Sequence, residues 1–211
     1  MKLLSGPARF FVAGAIALAP VVTVAAPALA CGNSYRYEVD PKTQLIVKAE
    51  EALNEGDYKQ AWKLATDATG AVGKTVEGKD APASLSALRA RTLRVTAIAA
   101  VRTKGAVGGT KEAEHFAGWA VDQLRVLATR ESGNPYLMAR LAEGLANTKR
   151  EAEALEILKQ LVADDMMPDG LAWLQYAELQ KDDKERTRGL EQCKLRANDP
   201  ATCKLKAPGQ G

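Results

Sequence analysis

Between Thr43 and Ala197 apolar residues recur every three or four positions, and Gly, Pro and Asp clusters cut the pattern into eight segments. That spacing predicts amphipathic helices, and no alternating apolar/polar run suggests a strand. The segment QLIVKAEEALNE at 44–55 puts Leu45, Ala49, Ala52 and Leu53 on one face, and Gly56 ends it. Asp57-Tyr58 opens the next helix, where Ala61, Leu64, Ala65 and Ala68 align. A Gly/Lys/Asp/Pro-rich loop is expected at 70–82, then a long helix over about 84–103, broken by GAVGG at 105–109. The helix expected at about 111–129 turns Phe116, Ala120, Val121, Leu124 and Leu127 inward and stops at Ser132-Gly133-Asn134-Pro135. Helices at about 136–147 and 151–164 precede Met167-Pro168-Asp169-Gly170, and a last pair at about 171–181 and 184–197 follows. Many alanines and few aromatics suit helices that approach closely.

Ahead of the helices, Lys2 and Arg9 precede an apolar run from Phe10 to Val24, and Ala28-Leu29-Ala30 supplies small residues where a signal peptidase reads. The run is interrupted by Pro20 and is about fifteen residues long, short of the roughly twenty a bilayer span needs. Residues 1–30 are therefore expected to be a removed leader. The mature chain then starts at Cys31, works outside the cytoplasm in the periplasm, and uses residues 31–42 as a tether. Without Lys2 and Arg9 there remain 27 of the 29 basic residues against 26 acidic ones, so the basic balance of the whole chain does not indicate nucleic-acid binding. Charges alternate in sign, as in KDDKERTR at 181–188, which reads as a solvated face.

Three cysteines are present: Cys31, Cys193 and Cys203. In an oxidising compartment Cys193 and Cys203 are close enough in sequence to pair and pin the tail beyond Asn198-Asp199-Pro200. Reduced thiols and a bridge from Cys31 are the alternatives. The spacing matches no zinc pattern. Cys31 stands where bacterial lipoproteins carry their lipid. Ala28, Leu29 and Pro27 depart from the usual residues before that cysteine, so an ordinary soluble exported protein stays open.

Ala49, Gly56, Tyr58, Ala61, Ala65 and Ala68 resemble the tetratricopeptide repeat, a 34-residue helical pair with small residues at the helix crossing and a Gly-Asp/Asn-Tyr turn. The resemblance recurs with Met138, Leu141, Ala142 and Leu145 in a first helix and Ala154, Leu158 and Leu161 in a second. Trp173, Tyr176 and Ala177 fit a further first helix, whereas Gly189, Cys193 and Arg196 fit the second poorly. From Ala142 to Ala177 is thirty-five residues, close to the family period. The 84–130 pair lacks the turn signature. The resemblance implies an all-α fold, an α-solenoid of about four helix-turn-helix repeats over residues 43–200, with 201–211 as a C-terminal tail. A plain alanine-rich bundle is the competing architecture.

Motifs for catalysis are weak. Ala68-Thr69-Gly70-Ala71-Val72-Gly73-Lys74-Thr75 satisfies a relaxed phosphate-loop pattern, but it follows an amphipathic helix rather than a buried strand. His115 is the single histidine, which excludes a multi-histidine metal site. Trp62, Trp119 and Trp173 lie among apolar neighbours at helical spacing and are read as packing.

The resemblance implies a concave groove lined by first helices, with Glu50, Asn54, Arg94, Glu143, Asn147 and Glu178 facing it. Asn54 and Asn147 would occupy one place in two repeats and could bond a peptide backbone. Glu50 and Glu143 stand where the carboxylate-clamp subtype needs Asn or Lys, which disfavours binding of a free C-terminal carboxylate. The expected role is a non-enzymatic scaffold of the cell envelope that binds another protein as a peptide or helix. No cofactor, metal or nucleic acid is expected, and membrane contact is expected only through a lipid on Cys31. Two alternatives remain: a small-ligand carrier or enzyme using the Glu/Arg-lined groove, and a purely structural envelope spacer.

Overall fold

Pro41 occupies the first turn of a helix, where its missing N–H has no intrahelical acceptor to lose. In the computed structural model, which describes residues 40–73, 83–107 and 112–205, this helix is α1 (Pro41–Glu55). It is followed by α2 (Tyr58–Gly73), α3 (Ala83–Arg102), α4 (Ala113–Arg130), α5 (Pro135–Asn147), α6 (Glu151–Ala163), α7 (Gly170–Leu179) and α8 (Asp183–Arg196). A 3-10 turn at Pro200–Thr202 ends the described part. The chain divides into two units, Met1–Tyr37 and Glu38–Gly211, and every described residue lies in the second. The expected leader, Cys31, most of the tether, the loop at 74–82 and residues 206–211 lie outside the described residues. Among the described residues there is no strand.

Four helix ends share one turn chemistry. After α1, Gly56 takes a left-handed φ of 84°, and the N–H groups of Gly56 and Asp57 return to the carbonyls of Leu53 and Ala52. That double bond satisfies carbonyls the last turn would otherwise leave orphaned. The same pair of bonds closes α3 at Lys104, α5 at Lys149 and α6 at Asp165, all non-glycine residues at positive φ. Starts are capped by side chains. Asn134 accepts from the N–H groups of Tyr136 and Leu137, Asp169 from Ala172, and Asp182 from Glu185. On α8, Asp183 and Glu185 in the first turn and Lys194 and Arg196 in the last complement the helix dipole.

The expected boundaries agree with these helices except at the start of α1, which begins at Pro41 within the expected tether, and at the end of α2. The stop expected at Gly70 is passed, and the helix continues to Gly73. A single glycine inside a helix costs only about 1 kcal/mol, too little to end one that packs well.

Packing follows sequence order. Each helix contacts the next, and in addition α1 meets α3, α3 meets α5, and α5 meets α7, whereas the backbones of the even-numbered helices do not pack on one another. Helix α3 is accordingly touched by α1, α2, α4 and α5, and its residues from Val95 to Val101 are all buried. Two of its buried residues are threonines. Thr92 and Thr96 return their hydroxyls to the carbonyls of Leu88 and Thr92, each at 2.9 Å, so neither is left unsatisfied.

Small residues recur at one spacing in three of the helix pairs, and in the last of them they meet. Ala49 and Ala61, Ala142 and Ala154, and Ala177 and Gly189 are each twelve positions apart and all buried. Around them Leu124, Leu145 and Leu158 are fully enclosed, each contributing about 1.5–3 kcal/mol relative to exposure.

Candidate functional site

Arginine side chains on α3 and α5 reach a neighbouring first helix or its cap and find carboxylates there. Arg91 on α3 forms a two-pronged pair with Glu50 on α1, Nε to Oε1 at 2.9 Å and Nη2 to Oε2 at 2.5 Å. The hydrogen bond to Glu50 holds the Arg91 guanidinium above its ordinary pKa, against the opposing effect of burial. Arg102, at the end of α3, lies 3.2 Å from Glu143 of α5. Arg140 of α5 donates to Glu143 at 2.7 Å and, through Nη2, to Asp169, the capping residue of α7.

Arg140 is 1 % exposed, so its charge is tolerable only because two carboxylates meet it. Its guanidinium also lies 5.1 Å from the Tyr136 ring centre, and that of Arg102 lies 5.9 Å from the Tyr58 ring. Burial pushes the Tyr136 hydroxyl above its ordinary pKa, with nearby Arg102 acting in the other direction. One chain of contacts thus runs Tyr58, Arg102, Glu143, Arg140, Asp169, touching all four helix pairs.

The six residues expected to face a groove lie on first helices, but most are committed within the protein. Glu50 and Glu143 are paired as above. Arg94 pairs with Glu131 at the end of α4, and Glu131 also accepts from Asn134 at 2.9 Å. Asn147 donates through Nδ2 to the carbonyl of Val101 at 2.9 Å, tying α5 to α3. Asn54 is exposed near the end of α1, and Glu178 is half-buried on α7. Asn54 and Asn147 are thus not equivalent, since one amide is already bonded across an interface.

Arg91, Arg102, Arg140 and Asp169 were not among the residues expected from the sequence. Arg140 carried a signal, because it falls on the buried stripe of α5 with Leu137, Leu141 and Gly144. A charged residue in such a stripe needs a partner.

A second feature lies between α4 and α6, whose backbones do not pack on one another. There an open cleft of about 580 Å³ has Ala128, Met138, Leu141, Leu145, Ala152 and Ile157 as its apolar lining and Arg125, Thr129, Glu153 and Glu156 as its polar part. Arg125 faces Glu153 across it at 3.5 Å.

The tryptophans pack. Trp62 stands edge-on to Phe116 and Trp119 at 5.2 and 5.7 Å, and Trp173 is buried between Arg188, Arg196 and Tyr176. His115 is exposed in the first turn of α4. Residues 68–73 of the relaxed phosphate-loop match are the last turns of α2, with Ala68 buried, and Lys74-Thr75 lie outside the described residues. Among the described residues no three His, Cys, Asp or Glu side chains gather in a way that could hold a metal ion. No described helix is long and apolar enough to cross a membrane.

Cys193 and Cys203 are joined in a disulfide with a Cα separation of 5.8 Å, which fixes the residues after α8 to that helix. Comparison with protein-family models, with curated proteins and with solved structures finds no match for this chain.

Proposed function

We propose that this chain is a non-enzymatic scaffold of the cell envelope, a stack of tetratricopeptide-like helical pairs that holds another protein. The observation that carries the reading is the succession of backbone contacts α1–α3–α5–α7, which has no counterpart among the even-numbered helices. Stacked pairs of this kind each bury one face on the next and leave two long rows of helix exposed, which is the usual use of solenoid surfaces. The small residues at twelve-residue spacing in three of the four pairs support the same reading, as does the thirty-five-residue step from Ala142 to Ala177.

Pairing of Glu50, Arg94 and Glu143 within the protein favours a scaffold over a carrier of charged small molecules, because a ligand would have to displace existing ion pairs. The partner then meets a surface whose charges are largely neutralised, and recognition falls to shape, backbone hydrogen bonds and apolar contact. The apolar cleft between α4 and α6 is a second position for a partner helix, favoured by its lining.

A photo-crosslinking residue placed at Asn54 or Glu178 samples the first-helix row, one placed at Glu156 samples the cleft, and one at Lys184 on α8 is a control. Capture of one defined protein from envelope extracts at the row or the cleft but not at the control is the expected result. Equal capture at all positions, or none, would remove the scaffold reading and leave the spacer.

A further inference from the structure

The two ends of the stack are attached differently. At the first end the backbones of both α1 and α2 pack on α3, and Trp62 of α2 reaches on to Phe116 and Trp119 of α4. At the last end α7 packs on α5 and α6, whereas the backbone of α8 packs on α7 and the 3-10 turn and on no other described element. The fourth pair is therefore joined to the third through one of its helices.

Within itself the fourth pair is tied along its length. A Cβ on Gly189 would lie 2.8 Å from the Ala177 Cβ. Tyr176 of α7 donates to Glu185 of α8 at 2.8 Å, and Arg186 donates to the Gln180 carbonyl at 2.8 Å. Arg188 and Arg196 lie 5.9 and 5.6 Å from the Trp173 ring centre. Where α7 starts, a Cβ on Gly170 would lie 2.8 Å from the Ala197 nitrogen, and Arg196 donates to the Met167 carbonyl at 3.1 Å. The disulfide then fixes Cys203 to α8. Residues 167–203 thus form one closely bound piece.

An apolar contact and an ion pair join this piece to the third pair. Ala172, Trp173 and Tyr176 belong to the same buried core as Leu145, Leu158 and Leu161. Arg140 of α5, itself buried, donates to Asp169, whose other carboxylate oxygen accepts the Ala172 N–H at 2.8 Å. Between the two lie Asp164, Asp165 and Met166, all exposed. The N–H groups of Asp165 and Met166 close α6, so the backbone can swing at the Met166–Met167 link without opening either helix.

Local opening follows cohesive units, and in a stack of pairs it starts at the end with the fewest ties to its neighbour. We infer that residues 167–203 are a hinged body that swings off the third pair as one piece about Met166, with the Arg140–Asp169 pair as its latch. Helices α1 to α6 stay packed in the open state. The hinge is independent of the partner-binding reading.

The test is amide hydrogen exchange of the oxidised full chain, read peptide by peptide by mass spectrometry. Helices α7 and α8 are expected to share one degree of protection, about tenfold or more below that of α3 and α5. Leu124→Ala cuts a buried side chain from α4, whose backbone packs on neither α7 nor α8. It should speed exchange in α3 and α4 and leave α7 and α8 unchanged. Val121→Ala, a smaller cut in the same helix, repeats the comparison where Leu124→Ala does not fold. Asp169→Asn keeps the α7 cap and releases the latch, so α7 and α8 should exchange about tenfold faster. Protection of α7 and α8 equal to that of α3 and α5, or different between α7 and α8, would overturn the inference. So would faster exchange of α7 and α8 in step with α3 on Leu124→Ala, or no change on Asp169→Asn.

Discussion

The closest helix crossing supplies the sharpest test of the packing. In α8, Gly189 faces Ala177 of α7 so nearly that a Cβ on it would lie 2.8 Å from the Ala177 Cβ and 3.2 Å from the Ala177 backbone. Carbon atoms rest comfortably at about 3.5–4.0 Å, so the added methyl is about 0.7 Å too close. Ala177 has no rotamer through which to retreat, and the two helices must separate. Overpacking of this kind costs about 1–3 kcal/mol, and replacing a helical glycine by alanine returns about 1 kcal/mol. Gly189→Ala is therefore expected to destabilise by up to about 2 kcal/mol. The matched control is Gly118 in α4, whose added Cβ meets nothing within 4 Å. Gly118→Ala should stabilise by about 0.5–1 kcal/mol through the unfolded chain alone. In a domain of this size each kcal/mol moves the melting temperature by about 2–4 °C. Thermal and urea unfolding followed by circular dichroism would read both changes. A Gly189→Ala protein stabilised as much as the Gly118→Ala protein would refute the close crossing, and with it the account of how the fourth pair is built.

Replacing both Cys193 and Cys203 by alanine opens a short loop and should cost about 2.5–3 kcal/mol, read as an earlier urea midpoint of the oxidised protein's transition. Asp169→Asn keeps the cap on α7 but takes a charge from buried Arg140. About 1–2 kcal/mol should be lost, discounted because Asp169 is a third exposed and Glu143 remains, and Asp169→Ala should lose about 1 kcal/mol more in the same melts. Burial first, and then the 2.8 Å hydrogen bond to Glu185, push the Tyr176 hydroxyl up to about 12 from an ordinary 10.0. Between those values the unfolded chain has lost this proton and the folded protein keeps it. The contribution of Tyr176 is thus complete below about pH 10 and falls as pH rises towards 12. Tyrosinate absorbance should show a step near pH 12 that Tyr176→Phe removes, beside the raised Tyr136. A titration complete near pH 10 would count against the packing of Tyr176.

The helices were legible because period and punctuation agreed. Apolar residues three and four apart mark α5 and α6, and Asn134-Pro135 and Lys149-Arg150 bound them. The end of α2 was not legible, since Gly70 reads as a stop whether or not neighbours hold the next turn in place. Placement of the groove residues on first helices followed from the repeat pattern. Their partners did not, because each pair joins residues distant in sequence, forty-one positions for Arg91 and Glu50 and twenty-nine for Arg140 and Asp169. Side-chain reach across a helix interface depends on how the helices are offset, which local pattern does not encode. The closeness of Gly189 to Ala177 was also missed, as Gly189 looked like a poor match to the repeat rather than a crowded crossing.

The run of contacts from Tyr58 through Arg102, Glu143 and Arg140 to Asp169 makes the four helix pairs unequal. In an array of interchangeable units, one could be deleted or duplicated and the seams would heal. Here, excising the third unit would strand Arg102 without its carboxylate, and removing the fourth would strip an enclosed guanidinium of one counter-charge. The order of units is thereby written into the protein interior, and a shortened or lengthened version would need compensating changes at the seam before it could persist.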